Sequence, residues 1–202
     1  MCSWRFYAAP VAEPVGVVLA GGRGRRLGGA KANVRVAGQP LLHWPLSALA
    51  ALPARAVVAK SSSELPALPA DVELWVEPSS PQHPLVGLRH ALRVAAGQEV
   101  VVCAVDLPLV SAVTVQRLAR ALDGGDELAA VACSGGRVQP LLGLYRTEAL
   151  ERLAPEFGDA PVTDVVLSRL RPLVLEVARE ELLNVNRPED VQVAEAFLAS
   201  RA

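Results

Sequence analysis

The stretch Val15-Gly16-Val17-Val18-Leu19-Ala20-Gly21-Gly22-Arg23-Gly24-Arg25-Arg26-Leu27-Gly28-Gly29-Ala30-Lys31 decides how this chain reads. Val15 to Ala20 is a short apolar run with the character of a buried strand. The glycines after it clear side chains from the backbone, and three arginines and one lysine surround that bare backbone with positive charge. Exposed N–H groups ringed by cations make a seat for a polyphosphate. The alternative is a flexible basic loop with no ligand.

Two familiar phosphate loops do not fit. A P-loop lysine is followed by Ser or Thr, whereas Lys31 is followed by Ala32. The dinucleotide fingerprint Gly-x-Gly-x-x-Gly begins at Gly22-Arg23-Gly24 but meets Leu27 at its third glycine. The pattern that does fit is Leu-Ala-Gly-Gly-x-x-x-Arg-x-Gly-x-x-Lys, matched at Leu19, Ala20, Gly21, Gly22, Arg26, Gly28 and Lys31. This loop resembles the signature of nucleotidyltransferases that activate a phosphorylated acceptor with an NTP. Within them the chain is similar to the molybdenum cofactor guanylyltransferases and their cytidylyl relatives. The resemblance spans nearly all of residues 15–200. It implies that Leu19, Ala20, Gly21, Gly22, Arg26 and Lys31 bind the nucleotide, with Arg26 and Lys31 stabilising its triphosphate during catalysis.

Only two of the 20 Lys and Arg residues are lysine, Lys31 and Lys60. A chain that otherwise uses arginine places lysine where a compact point charge is wanted. Lys60 closes the apolar run Ala56-Val57-Val58-Ala59 and is either a strand-end contact or a solvated loop cation.

The 202 residues suit one domain, 15–202, behind a loose N-terminal tail, 1–14. Half the residues are apolar, enough for a sizeable core, and the net charge of −1 speaks against nucleic-acid or anionic-membrane binding. Cys103 and Cys133 fall inside apolar runs and read as small core residues. The odd, scattered cysteines suit a reducing cytoplasm, and neither a signal peptide nor a membrane span is expected.

Short Val/Leu/Ala runs alternate with longer helical stretches. This predicts a Rossmann-like three-layer α/β/α domain with a mainly parallel sheet. Strands are expected at Val15–Ala20, Ala56–Ala59, Val72–Val76, Val100–Val105, Leu128–Cys133 and Leu173–Val177. Arg137–Tyr145 is expected as an antiparallel addition. Helices are expected near Pro40–Leu52, Leu85–Ala96, Ser111–Leu122, Glu148–Ala154, Pro161–Arg169 and Pro188–Ala199. Ser111 reads as an N-cap, and Pro45 implies that the first helix begins late or kinks. In such a sheet ligands collect beyond the carboxyl ends of the strands, and the polar signals of this chain each follow an apolar run.

Val100 to Val105 ends in Asp106-Leu107-Pro108, which places a carboxylate at that edge. Mg2+ prefers one or two carboxylates plus phosphate oxygens, so Asp106 is the expected metal ligand and a catalytic residue. The resemblance implies the same role. It also implies nucleotide contact at Glu77, where the family usually carries Asp. At Ala59, beside Lys60, this chain lacks the family's nucleotide-contacting Asn, a departure that leaves base preference open. Asn184 and Asn186 in Asn184-Val185-Asn186-Arg187-Pro188-Glu189-Asp190 are implied to hold acceptor, with Asn186 a further metal ligand. Asn186 is also a candidate helix cap. Arg137 and Gln139, before Pro140, are implied to touch the acceptor or simply close a β-turn. His83-Pro84-Leu85-Val86-Gly87 resembles the segment that covers the nucleotide.

The resemblance implies Mg2+-dependent transfer of GMP from GTP to molybdopterin-bound molybdenum with release of pyrophosphate, and as protein partners apo-molybdoenzymes or other cofactor-synthesis proteins. The alternatives are a CTP-dependent transferase on the same acceptor, a phospholactate guanylyltransferase, and a non-catalytic nucleotide or cofactor carrier.

Overall fold

A computed structural model describes residues 13–22, 30–154, 156 and 158–201. The tail 1–12 and the part of the first loop that holds Arg23 to Gly29, Arg26 included, lie outside the described residues. In chain order the strands and helices are β1 (Val15–Leu19), β2 (Arg35–Val36), β3 (Gln39–Pro40), α1 (His43–Ala48), β4 (Ala54–Lys60), β5 (Val72–Glu77), α2 (Pro84–Val94), β6 (Val100–Ala104), α3 (Ala112–Ala119), β7 (Ala129–Ser134), β8 (Arg137–Tyr145), α4 (Ala149–Arg152), α5 (Val162–Leu170), β9 (Leu173–Glu176) and α6 (Pro188–Arg201).

Seven strands form one sheet in the order β5-β4-β1-β6-β8-β7-β9. β1 pairs parallel with β4 and β6, β4 with β5, and β7 with β9, while β8 runs antiparallel to β6 and β7. The expected α/β/α fold and its antiparallel addition are therefore present. β8 spans the predicted segment, and its reversed direction carries its start, Arg137 to Leu141, to the edge where the parallel strands end. Between Val131 and Ala132 the β7–β8 register shifts, so that Val131 faces Gly143 and Ala132 faces Gln139. This bulge falls at Pro140, which has no N–H to give the ladder.

Strand alternation divides the core in two. Val18, Val57, Ala59, Val101 and Cys103 face one side with Leu46, Leu49, Val115 and Leu118 from the α1 and α3 layer. Val17, Val58, Val100, Val102 and Tyr145 face the other, against Leu85, Leu88 and Leu92 of α2 and Val166 of α5. Each fully buried aliphatic side chain contributes about 1.5–3 kcal/mol. A smaller third cluster, Val36, Leu41, Leu109, Val185 and Ala194, fastens the β2–β3 hairpin and α6 to the sheet edge. Burial of Cys103 pushes its thiol pKa far up, which suits a core residue.

Local chemistry sets the helix starts. Ser111 Oγ accepts from Thr114 N–H, as expected of an N-cap. α1 begins late, with Pro45 in its first turn where a missing N–H is harmless, and then tightens into a 3-10 turn, Leu49–Ala51. The β2–β3 hairpin and the 3-10 turn Arg179–Leu182 are not foreseen from the sequence.

Candidate active site

The carboxyl ends of β1, β4, β5 and β6 open onto a cavity of about 460 Å3. Leu19, Gly21, Gly22, Lys31, Glu77 and Asp106, all singled out in the sequence, line it. Ala20 instead lines an adjoining cavity of about 320 Å3, which shares Gly21, Gly22, Lys31 and Lys60 with the first. Among the described residues, these two spaces share a wall at the start of the glycine loop.

The backbone fixes both sides of that wall. Ala20 N–H donates to Val58 O and Val105 N–H donates to Leu19 O, extending the sheet ladder into the two loops. Leu107 N–H then closes a turn onto Ala104 O, with Asp106 at its apex. Val185 N–H donates to Asp106 O at 2.9 Å, which brings the asparagine block to the same place.

At that junction Lys31 Nζ donates to Asp106 Oδ2 at 2.8 Å and to Asn186 Oδ1 at 2.6 Å. Three residues remote in sequence thus converge on one ammonium. Asn186 is free to do so because Asp190 takes the capping task. Asp190 Oδ2 accepts from the N–H groups of Asn186 and Arg187, each at 2.8 Å, ahead of α6. The side chain of Asn186 is therefore a partner of Lys31.

Across the cavity, Glu77 at the end of β5 is buried and pairs with Lys60 Nζ at 3.6 Å. Burial raises the Glu77 pKa, and the Lys60 charge pulls it back. Two glycines make room for the carboxylate. A Cβ on Gly21 would overlap Glu77 Oε1, and one on Gly87 would lie 3.0 Å from Oε2. Only a residue without a side chain fits at Gly21 in this arrangement. Along β4, Val58 and Lys60 line the cavity while Ala59 points into the core on the opposite face. Position 59, where the chain lacks the family's Asn, therefore faces the core. A strand side chain cannot face both ways, and the cavity side belongs to Lys60.

The acceptor residues implied by the resemblance stand further along β8. Gln139 Nε2 donates to Asn184 Oδ1 at 3.3 Å, and Asn184 Nδ2 donates to Leu182 O at 3.1 Å. Arg137 is exposed beside the Gly135-Gly136 turn. Leu141, two residues beyond Gln139, reaches the cavity wall. His83 is the N-cap of α2. Its Nδ1 accepts from Leu85 N–H, so Nε2 carries the proton and donates to Ala160 O. With both ring nitrogens engaged, His83 is not placed as a general base.

The MobA-like NTP transferase domain model matches residues 16–166, which include the first loop, Glu77, Asp106 and Gln139. The chain belongs to this family. It is 37% identical over 194 residues to a molybdenum cofactor guanylyltransferase from Cereibacter sphaeroides, covering 93% of this chain and 98% of that relative. It is 31% identical over 196 residues to a probable molybdenum cofactor guanylyltransferase from Bacillus licheniformis, covering 92% and 98%. In overall fold it is similar to molybdopterin-guanine dinucleotide biosynthesis protein A from Archaeoglobus fulgidus. There the TM-score is 0.73 and the identity 24%, over 92% of this chain and 99% of that one. It is similar also to 2-C-methyl-D-erythritol 4-phosphate cytidylyltransferase from Thermus thermophilus, with a TM-score of 0.70 at 21% identity, covering 92% and 99%.

The cavity is thus the candidate active site of a nucleotidyltransferase. Among the described residues no three His, Cys, Asp or Glu side chains gather as a metal cage, and no helix is long and apolar enough to cross a membrane. A metal held here would take part of its shell from substrate oxygens.

Proposed function

We propose that the protein transfers GMP from GTP to a molybdopterin-type molybdenum cofactor, with Mg2+ and with release of pyrophosphate. The observation that carries this reading is the ammonium of Lys31, held by Asp106 and Asn186 where the glycine loop begins. A carboxylate oxygen and an amide carbonyl oxygen aim at one cation, so the ammonium stands in for a second kind of cation at that point. Both donors are hard oxygens of the kind Mg2+ takes. Asp106 and Asn186 would hold the ion, which would neutralise the triphosphate and the departing pyrophosphate.

The loop N–H groups and Lys31 bind and orient the triphosphate. Glu77 and Gly87 wall the cavity on the side away from Asp106. The acceptor enters past Gln139 and Asn184. Its terminal phosphate oxygen attacks the α-phosphorus, a new P–O bond forms, and the bond from that phosphorus to the bridging oxygen of the β-phosphate breaks. The attacking phosphate is already ionised at neutral pH, so no side chain has to remove a proton. Positioning and charge supply the catalysis, as in other phosphoryl and nucleotidyl transfers.

The choice of GTP and of the molybdenum cofactor is supported by the names of relatives at 31–37% identity over nearly their whole lengths. Incubation with each NTP, Mg2+ and molybdopterin acceptor, followed by mass analysis, tests it. A GMP adduct is expected. A CMP adduct would assign the chain to cytidylyl transfer, and an unmodified acceptor with every NTP would leave a transferase for another acceptor, such as phospholactate, or a carrier.

A further inference from the structure

We infer that Lys60 is a positioning residue for the donor nucleotide, acting through Glu77 and the backbone that follows it. This rests on the proposed nucleotide cavity. Lys60 is the only lysine besides Lys31. Its ammonium donates to Pro78 O at 3.1 Å and to Ser79 O at 3.3 Å, and lies 3.6 Å from Glu77 Oε1. Two hydrogen bonds and an ion pair thus tie the ammonium to the end of β5 and the two residues after it. The side chain is 9% exposed, and its ammonium is engaged by the carbonyls and the carboxylate. An ammonium with three donors suits two carbonyls and a carboxylate, whereas a neutral amide brings no charge to the carboxylate.

The charge matters because of where Glu77 sits. Its side chain is 5% exposed and packs against Gly21 of the phosphate loop and Gly87 of α2. A lone carboxylate there would repel a triphosphate bound along the same loop. Paired with Lys60 it is neutral in sum, and its oxygens stay available to hydroxyl or N–H donors of a nucleotide. The same ammonium pins Ser79, which lines the neighbouring cavity with Gly21 and Gly22. Lys60 therefore sets Glu77 and the loop after β5 against the glycine loop as one unit.

The experiment is a double-mutant cycle of Lys60→Met and Glu77→Gln, read by steady-state kinetics and by calorimetric nucleotide binding. It uses whichever NTP the wild type binds, so a change of donor identity leaves the cycle interpretable. Lys60→Met is expected to raise KM for the nucleotide tenfold or more and to change kcat less than threefold. The double variant is expected to lose less affinity than the sum of the two single losses, because part of what Lys60 does passes through Glu77. Lys60→Arg keeps the charge and is expected to recover at least half of the lost affinity on a logarithmic scale; it also serves if Lys60→Met does not fold. Additive losses in the cycle would overturn the inference, because Lys60 would then touch the nucleotide itself. So would unchanged KM in Lys60→Met, or an arginine variant no better than the methionine one.

Discussion

Lys31 and Asp106, 75 residues apart in the chain, form an ion pair at 2.8 Å on the floor of the cavity. The pair links the end of the glycine loop to the turn after β6, and Asn186 completes it from the C-terminal block. One cation thus gathers the three chain segments that the proposed reaction needs.

The first prediction follows from that shared seat. A metal ion and the Lys31 ammonium cannot both occupy the point where Asp106 and Asn186 aim. Mn2+, a spectroscopic substitute for Mg2+, should bind the nucleotide-free wild type weakly. Lys31→Met should bind Mn2+ alone about tenfold more tightly, roughly 1.4 kcal/mol, yet bind nucleotide less well. Lys31→Arg should restore nucleotide binding poorly, since the planar guanidinium is larger than the ammonium. Electron paramagnetic resonance of free Mn2+ measures the first effect, and equal Mn2+ affinities would contradict it.

The contact between Gly21 and Glu77 gives the second. Gly21→Ala brings a methyl onto Glu77 Oε1, so the carboxylate or the loop must move. Overpacking of this kind costs about 1–3 kcal/mol, and KM for the nucleotide should rise with it. Adding Glu77→Asp withdraws the carboxylate by one methylene. The double variant should therefore melt higher than Gly21→Ala alone; a melting temperature at or below that of the single variant would show that the clash lies elsewhere.

A third concerns Glu181, which is buried. Its carboxylate accepts from Ser111 N–H at 3.1 Å and from Thr114 Oγ–H at 2.5 Å. It thereby ties the turn before the asparagine block to the helix after Asp106. Glu181→Ala removes two hydrogen bonds to a charged group and should cost about 2–3 kcal/mol. For a chain of this size that lowers the melting temperature by roughly 4–12 °C, measurable by calorimetry. Glu181→Gln, which keeps an acceptor, should lose less.

The positions of Leu19 to Gly22 and of Asp106 were legible in the sequence because each sits where a buried apolar run stops, and Lys31 because it closes the glycine-loop motif. That pattern is local, and parallel strands bring all such ends to one edge. Strand β8 was legible as an extended run in Arg137–Tyr145. The facing of position 59 was not legible. Motif alignment places that position one residue from Lys60, but facing alternates along a strand, and a one-residue offset exchanges core for cavity. Glu181, in Arg179-Glu180-Glu181-Leu182, reads as a surface charge, since its partners lie 67 and 70 residues away. The hairpin β2–β3 has two residues per strand, too few for any periodicity to appear.

The facing of position 59 is testable. Ala59→Asn buries an amide on the core face that Ala59 shares with Val57. It should destabilise the fold by about 1–3 kcal/mol and leave the choice of nucleotide unchanged. Competition binding with all four NTPs, together with a denaturant titration, checks both halves. A sharpened preference for GTP without loss of stability would put position 59 at the nucleotide.

The most direct test of the account is the fate of the phosphates in a single turnover with α-labelled GTP, Mg2+ and molybdopterin acceptor. The account predicts that the label enters the acceptor product and that pyrophosphate appears in equal amount. It also predicts that Asp106→Asn lowers this rate by about two orders of magnitude or more while melting within about 4 °C of the wild type. Release of orthophosphate with GDP, or full activity of the Asp106 variant, would contradict it.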